Sequence, residues 1–564
     1  MSRSAPFSHP LRTPIWPVPA RCLLLLTAFL SLFPASAQAQ SRPNFVFIAL
    51  DDLVPLSAGN LGDPTALLSV LVPNPVARYE LSARITPNLN RLASRGVTFT
   101  QTWASYPLCN ASRAALLTGI SAARSGYSQE NKYPLRDQHS QLRDATTLPQ
   151  RLRQAGYDSL GLGKIFHFAE ATTIGTTVVD WPDLARSWTA YLQRTCGTLE
   201  QVIPAPGSGP SPLNFGVEQA GVDAQPDWIN AGLAATLLRD GFVQANDRLG
   251  IPGSMAINPT RPFFLAVGFR RPHTPWTAPK EFIDRVPFDA LNAARINLLT
   301  ELRDLSDVTR VSKGNHSRVK AFFGFNGSPR AARSARLRLL VAARYYLGAA
   351  AFADACVGRV LDALDASPYA RNTIVVLWSD HGYSWGQKLH FGKSSLWEPS
   401  LRAEFILADL RAAAVGRIEN QPVSLVDIYP TVCALAGIRG KQPADGDGRS
   451  LTAALYGGRA PAHPILANYG PRQRAIRMGP WKYIAYTDKD ELNELYNLRK
   501  APFERRNLIR DNSKLPAIAL RLKKQILRLT PPYPSHSPRP PGTPAPTATP
   551  FREGSHRRVT SAGS

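Results

Sequence analysis

The sequence predicts an α/β enzyme: a mixed, mostly parallel sheet flanked by helices, followed by a smaller C-terminal α+β subdomain. Three observations carry this. Short unbroken apolar runs at 45–50, 263–269 and 373–378 read as strands buried on both faces. Amphipathic or helix-forming stretches, among them 85–96, 148–155 and 336–366, lie between them. Beyond about residue 440 the pieces shorten and turns crowd between them, the pattern of a small antiparallel sheet. At 564 residues, 44% hydrophobic and 19% charged, the chain can bury a large core.

The first 39 residues are not part of that fold. Arg3, Arg12 and Arg21 precede an apolar stretch at 22–33 that is too short to span a bilayer. Small residues at 35–37 or 37–39 suit cleavage. The segment reads as a signal peptide, giving a secreted, periplasmic or otherwise extracytoplasmic protein. An uncleaved N-terminal anchor is the alternative. No stable membrane span is expected further on. A catalytic domain is expected over 40–440 and a C-terminal subdomain over 441–529. The proline-rich basic stretch 530–564 has no means of forming a core and is expected to be disordered.

The formal charge of +25 favours anionic partners: sulfated glycans, nucleic acid or a membrane surface. Solvated arginines plus the basic tail would account for it equally well. Zinc-finger, RNA-binding and basic heptad patterns are absent, so nucleic acid is not expected as a partner. The five cysteines do not form a disulfide scaffold. Cys22 leaves with the signal peptide, and Cys356 and Cys433 sit in helical patterns as buried thiols.

Chemistry-bearing residues follow the predicted strands. Asp51 and Asp52 end the first, where open α/β sheets bind ligands, and two adjacent acids suit a cation. Cys109 precedes a strong helix-forming run, so it should sit at a helix N-terminus, a position that lowers a thiol's pKa. A strand at 157–162 leads into Gly163-Lys164, with His167 three residues beyond the lysine. His273 stands in a proline-stiffened loop after the strand at 263–269. The strand at 373–378 delivers Asp380 and His381, a pair suited to a divalent metal. Lys388, His390 and Lys393 form a basic cluster just after it. Residues 204–226 read as a loop, and 290–335 as a basic insertion or flexible loop. Each element alone has a bland reading as a turn, cap, core thiol or exposed loop.

Together they resemble a known family. Cys109-Asn110-Ala111-Ser112-Arg113, read on to Leu117-Thr118-Gly119, is similar to the signature of type I sulfatases, with Ala111 where most members carry proline. Gly163-Lys164…His167, Pro272-His273-Thr274-Pro275 and the C-terminal Glu494-Leu495-Tyr496 continue the resemblance to about residue 510. The set looks most like the iduronate-2-sulfatase branch. The resemblance implies an alkaline-phosphatase-like fold and hydrolysis of sulfate monoesters, from a sulfated carbohydrate or a small sulfate ester. It also implies that a formylglycine-generating enzyme oxidises Cys109 to formylglycine, whose hydrate is the nucleophile.

By the same resemblance Asp51, Asp52, Asp380, His381 and the modified Cys109 would hold a divalent metal. Calcium is the first choice, with magnesium and manganese as alternatives. Arg113 and Lys164 would stabilise the hydrate, His167 would hydrogen-bond its hydroxyl, and His273 and Lys393 would bind the sulfate, with His273 protonating the leaving oxygen. Lys388 and His390 are candidates for substrate contact. The rival readings are a phosphonate or phosphate ester hydrolase of the same superfamily, a choline-sulfatase-like enzyme, and a non-catalytic secreted binder of acidic glycans.

Overall fold

A computed structural model describes residues 42–530 except 129–141, 168–181, 193–201, 205–213, 246–252, 293–296, 309–318, 320–321, 439–445, 471, 487–492 and 511–515. The expected signal peptide, the tail from 531 on, and Cys196 lie outside the described residues.

The apolar runs form the centre of an eight-stranded sheet. Its spatial order is Arg417–Glu419, Val97–Phe99, Phe405–Asp409, Thr373–Ser379, Asn44–Asp51, Phe263–Pro272, Asp158–Gly163 and Ala190–Leu192. Asn44–Asp51 lies parallel to both neighbours, with Phe45 opposite Ile374 on one side and Phe264 on the other. Phe405–Asp409 is antiparallel to both of its own, which makes the sheet mixed.

Strand alternation divides the core in two. Val46, Ile48 and Leu50 pack in the layer that holds the long helix Pro329–Asp365 and the helix Pro226–Asp240. Phe45, Phe47 and Ala49 pack in the opposite layer, with Ala114 and Leu117 of the helix Cys109–Thr118 and Ile428 of Ile428–Leu435. Both faces are covered, so the strand is apolar throughout from Phe45 to Leu50. All eight of its residues are buried.

Four antiparallel strands, Ile465–Tyr469, Gln473–Met478, Trp481–Ala485 and Glu494–Asn497, make the small C-terminal sheet. The helix Ala517–Leu529, unmarked in the sequence reading, covers it through Leu522 and Ile526. A buried ion network ties this sheet to the main body. The Glu398 carboxylate accepts from Arg477 at 3.1 Å, Lys482 at 3.2 Å and Trp103 Nε1 at 3.2 Å. Lys482 also faces Glu504 at 2.6 Å.

Two expectations need correcting. Within 204–226, Phe215–Glu218 is a strand, parallel to Trp276–Pro279, because Phe215 has an apolar layer to enter. The long helix begins at Pro329, well before 336, and Leu298–Asp304 is also helical. Ser328 caps the long helix by accepting from Ala331 N–H at 3.2 Å, and proline opens it. Its first turns look unpatterned because exposed arginines crowd them.

Candidate active site

The parallel strands end on one side of the sheet, and their loops bring Asp51, Asp52, Asp380 and His381 together, all buried. Asp52 takes a left-handed backbone at φ +61°, rare for a side-chain-bearing residue. That turn sends its carboxylate and that of Asp51 to different partners. Oxygens of Asp51, Asp52 and Asp380 all lie within 4.8 Å of one another.

Cys109 is the first residue of its helix, as expected, and is buried. Its Sγ lies 3.3 Å from His381 Nε2, 3.2 Å from Lys393 Nζ and 3.7 Å from Asp52 Oδ1. The expected lowering of the thiol pKa does not occur. Burial and the charge of Asp51 push it up, and Lys393 only partly offsets them. Ala111 is buried in the first turn of the same helix, where proline also fits because those N–H groups have no helical partner.

Arg113 is the fastening of the site. Nε donates to Asp380 at 2.9 Å, Nη2 to Asp51 at 3.2 Å, and Nη1 to the Lys164 and Ile165 carbonyls at 2.6 and 3.1 Å. The guanidinium therefore orients carboxylates and a loop. Lys164 Nζ pairs with Asp51. Its loop fits because Gly268 opposes it: a Cβ there would stand 2.0 Å from the Lys164 carbonyl oxygen. Lys393 Nζ donates to Asp52 Oδ1 at 2.8 Å.

His273 approaches from the other side, Nε2 3.9 Å from Asp52 Oδ2. Its Nδ1 contacts the Thr274 carbonyl at 2.7 Å, which makes Nδ1 the proton-bearing atom and turns Nε2 to the site. Burial pushes its pKa down to about 3, so the ring is neutral. Asp227 holds this loop by accepting from Arg270 and Arg271 N–H at 2.9 and 2.8 Å. His167 is also held neutral, first by burial and then by the charge of Lys164. Its Nδ1 is buried and makes no hydrogen bond among the described residues.

Two predicted residues do not join the site. Lys388 is buried, with Nζ on Asp304 at 3.0 Å and near the rings of Trp397 and Tyr496. Left-handed φ angles of +49° at Lys388 and +51° at Leu389 turn it away. His390 is fully buried, its Nε2 2.9 Å from the Lys393 carbonyl, so it braces Lys393 from behind. Neither is placed to touch a substrate.

Further residues support the site, and of these Tyr346 and Glu404 had no local signal in the sequence. Tyr346 Oη donates to the Asp52 carbonyl. Ser112 Oγ donates to the Asp380 carbonyl. The buried Glu404 carboxylate accepts from Leu56 and Ser57 N–H at 2.7 and 2.9 Å and so anchors the loop beyond Asp52.

Three carboxylates and an imidazole suit a hard divalent cation. The crowding of the carboxylates supports the fit. Burial and the adjacent Asp51 charge push Asp380 up, while Asp51 and Asp52 stay low despite burial, through Lys164 and Lys393 respectively. Crowded carboxylates of this kind are relieved by a cation.

The Sulfatase family model matches residues 43–438, and a model described as N-sulphoglucosamine sulphohydrolase, C-terminal, matches 386–531. A curated sulfatase of Formosa agariphila is 31% identical, over 86% of this chain and 87% of its own. This chain belongs to the sulfatase family. The sulfatase is thus a hydrolase acting on sulfuric ester bonds, in a family that generally uses formylglycine and a divalent metal. Mouse iduronate 2-sulfatase is 26% identical over 76% of each chain. In fold the sulfatase is similar to the phosphonate monoester hydrolase of Agrobacterium radiobacter, at a TM-score of 0.61 and 21% identity, covering 86% of this chain and 95% of that one. The architecture is alkaline-phosphatase-like. Among the described residues no helix is long and apolar enough to cross a membrane.

Proposed function

We propose that this sulfatase is exported and removes sulfate from a sulfated carbohydrate, using formylglycine made from Cys109 by a formylglycine-generating enzyme and a bound calcium ion. The observation that carries this is the position of Cys109, whose side chain faces His381, Lys393 and Asp52 at 3.3, 3.2 and 3.7 Å. The 26% match to an iduronate 2-sulfatase and the C-terminal match to an N-sulphoglucosamine sulphohydrolase model support a carbohydrate substrate. The basic, apolar and small-residue order of the first 39 residues supports export.

Asp51, Asp52, Asp380 and His381 would hold the cation, whose chemistry is to polarise a sulfate oxygen and the nucleophile. Hard oxygen donors in the majority favour calcium. Formylglycine supplies a hydrated aldehyde hydroxyl as the attacking group. Lys393 places its ammonium between position 109 and Asp52, where it steadies negative charge on both nucleophile and sulfate. Lys164, paired with Asp51, borders the same space. Arg113 bonds both Asp51 and Asp380 and so orients them. His273 presents Nε2 without a proton in the resting enzyme, so the proton for the leaving oxygen is taken up as the anionic ester arrives.

Free sulfate released from a panel of sulfated oligosaccharides, with calcium present, tests the reading. Sulfate release from at least one carbohydrate, with an aryl sulfate turned over faster than an aryl phosphonate, is the expected result. Faster phosphonate turnover would assign the site to the other ester class.

A further inference from the structure

The N-terminal part of the long helix Pro329–Asp365 lies beyond the strand end that carries Asp51 and Asp52. Its level is set by Tyr346, whose hydroxyl bonds the Asp52 carbonyl and the Val54 N–H at the end of the first strand. The helix leads into Thr373–Ser379, which is parallel to that strand. It must therefore descend from the C-terminal ends of the strands to their N-terminal ends. Residues 329–345 consequently project past the strand ends on the catalytic side, over about 25 Å at 1.5 Å per residue.

That projecting part carries Arg330, Arg333, Arg336 and Arg338, all exposed. The first three recur every third residue along one side of the helix. Among the described residues none of the four pairs with an acid, whereas Arg344 meets Asp284 at 3.4 Å. The sequence from 308 to 353 contains no Asp or Glu. A solvated surface helix ordinarily mixes charges, and like charges three apart destabilise it. An arginine face left unanswered at the same end of the sheet as a site for sulfate esters is complementary to a polyanion, and guanidinium pairs well with tetrahedral oxyanions.

We propose that this arginine face docks a sulfated polysaccharide chain, holding the polymer beside the active-site entrance while one of its sulfate esters enters. The inference rests on the sulfated-carbohydrate reading above and adds that the substrate is polymeric.

The test compares the wild type with a combined Arg330→Gln, Arg333→Gln, Arg336→Gln, Arg338→Gln variant. Binding of sulfated dextran and of unsulfated dextran is measured on Cys109→Ala backgrounds, and aryl sulfate turnover on the active forms. We expect unchanged aryl sulfate turnover and binding of sulfated dextran weakened about tenfold or more at roughly 0.15 M ionic strength. A matching all-lysine variant should bind more tightly than the glutamine one. Unchanged affinity for sulfated dextran, or equal binding of unsulfated dextran by the wild type, overturns the proposal. Tighter wild-type binding of duplex DNA or anionic vesicles than of sulfated dextran also overturns it, assigning the face to nucleic acid or a membrane. If aryl sulfate is hydrolysed but no carbohydrate is, the substrate reading fails by itself, and the dextran comparison still reads the arginine face.

Discussion

Tyr346 Oη donates to the Asp52 carbonyl at 2.8 Å and accepts the Val54 N–H at 2.9 Å. One hydroxyl, from a helix almost three hundred residues further along the chain, thus clamps the left-handed turn at Asp52 from both sides. The carboxylate that faces Cys109, Lys393 and His381 owes its direction to that turn.

Tyr346→Phe removes the clamp and leaves a buried carbonyl and a buried N–H without it. We expect a loss of about 1–3 kcal/mol in urea unfolding. Calorimetric titration of the variant should show calcium affinity reduced about 10- to 100-fold. Unaltered calcium affinity would mean that the turn holds without the tyrosine.

Lys393→Met separates charge stabilisation from ion binding. Turnover of an aryl sulfate should fall about 100- to 1000-fold. Calcium affinity should not fall, because the lost ammonium repels the cation that Asp52 attracts. A parallel loss of both would make Lys393 a support for the metal site.

Lys482→Met takes away a cation shared by two buried carboxylates at the junction of the two sheets, Glu504 and Glu398, of which Glu398 keeps Arg477. Removing one partner of such a network costs about 3–5 kcal/mol. Denaturant unfolding should show it, and adding Glu504→Gln should recover part of the loss.

His463 gives the stability a pH dependence. Burial lowers its pKa, but the hydrogen bond and charge of Asp427, 3.1 Å away, outweigh burial and raise it above 6.5. A group raised on folding contributes fully below its unfolded pKa and loses that contribution as pH rises through the folded value. The wild type should therefore lose stability as pH rises from about 6.5 through the raised value. His463→Gln should flatten that slope in a melting series across the range, and an unchanged slope would assign it elsewhere.

The fold was legible where burial is simple. The strand Asn44–Asp51 is covered on both faces, so its apolar run from Phe45 to Leu50 is unbroken and its end is marked by two acids. The site residues that follow strand ends were legible for the same reason: Asp51, Asp52, Asp380 and His381 come where a strand leaves the core. Partners that act from elsewhere were not. Tyr346 is one apolar-face residue among many on its helix, and Asp227 looks like any acid in a helix's first turn. Lys388 shows the converse error. It lies five residues from Lys393 in the chain, and two left-handed residues point it to Asp304 instead. The thiol pKa was misjudged because the helix N-terminus is local, while the carboxylates and burial that outweigh it come from distant segments.

Mass spectrometry of the Cys109 peptide from protein that releases sulfate tests the central claim most directly. The account predicts that position 109 carries an aldehyde in place of the thiol, and that sulfate release scales with the converted fraction across preparations. Fully active protein with an intact Cys109 thiol would contradict it.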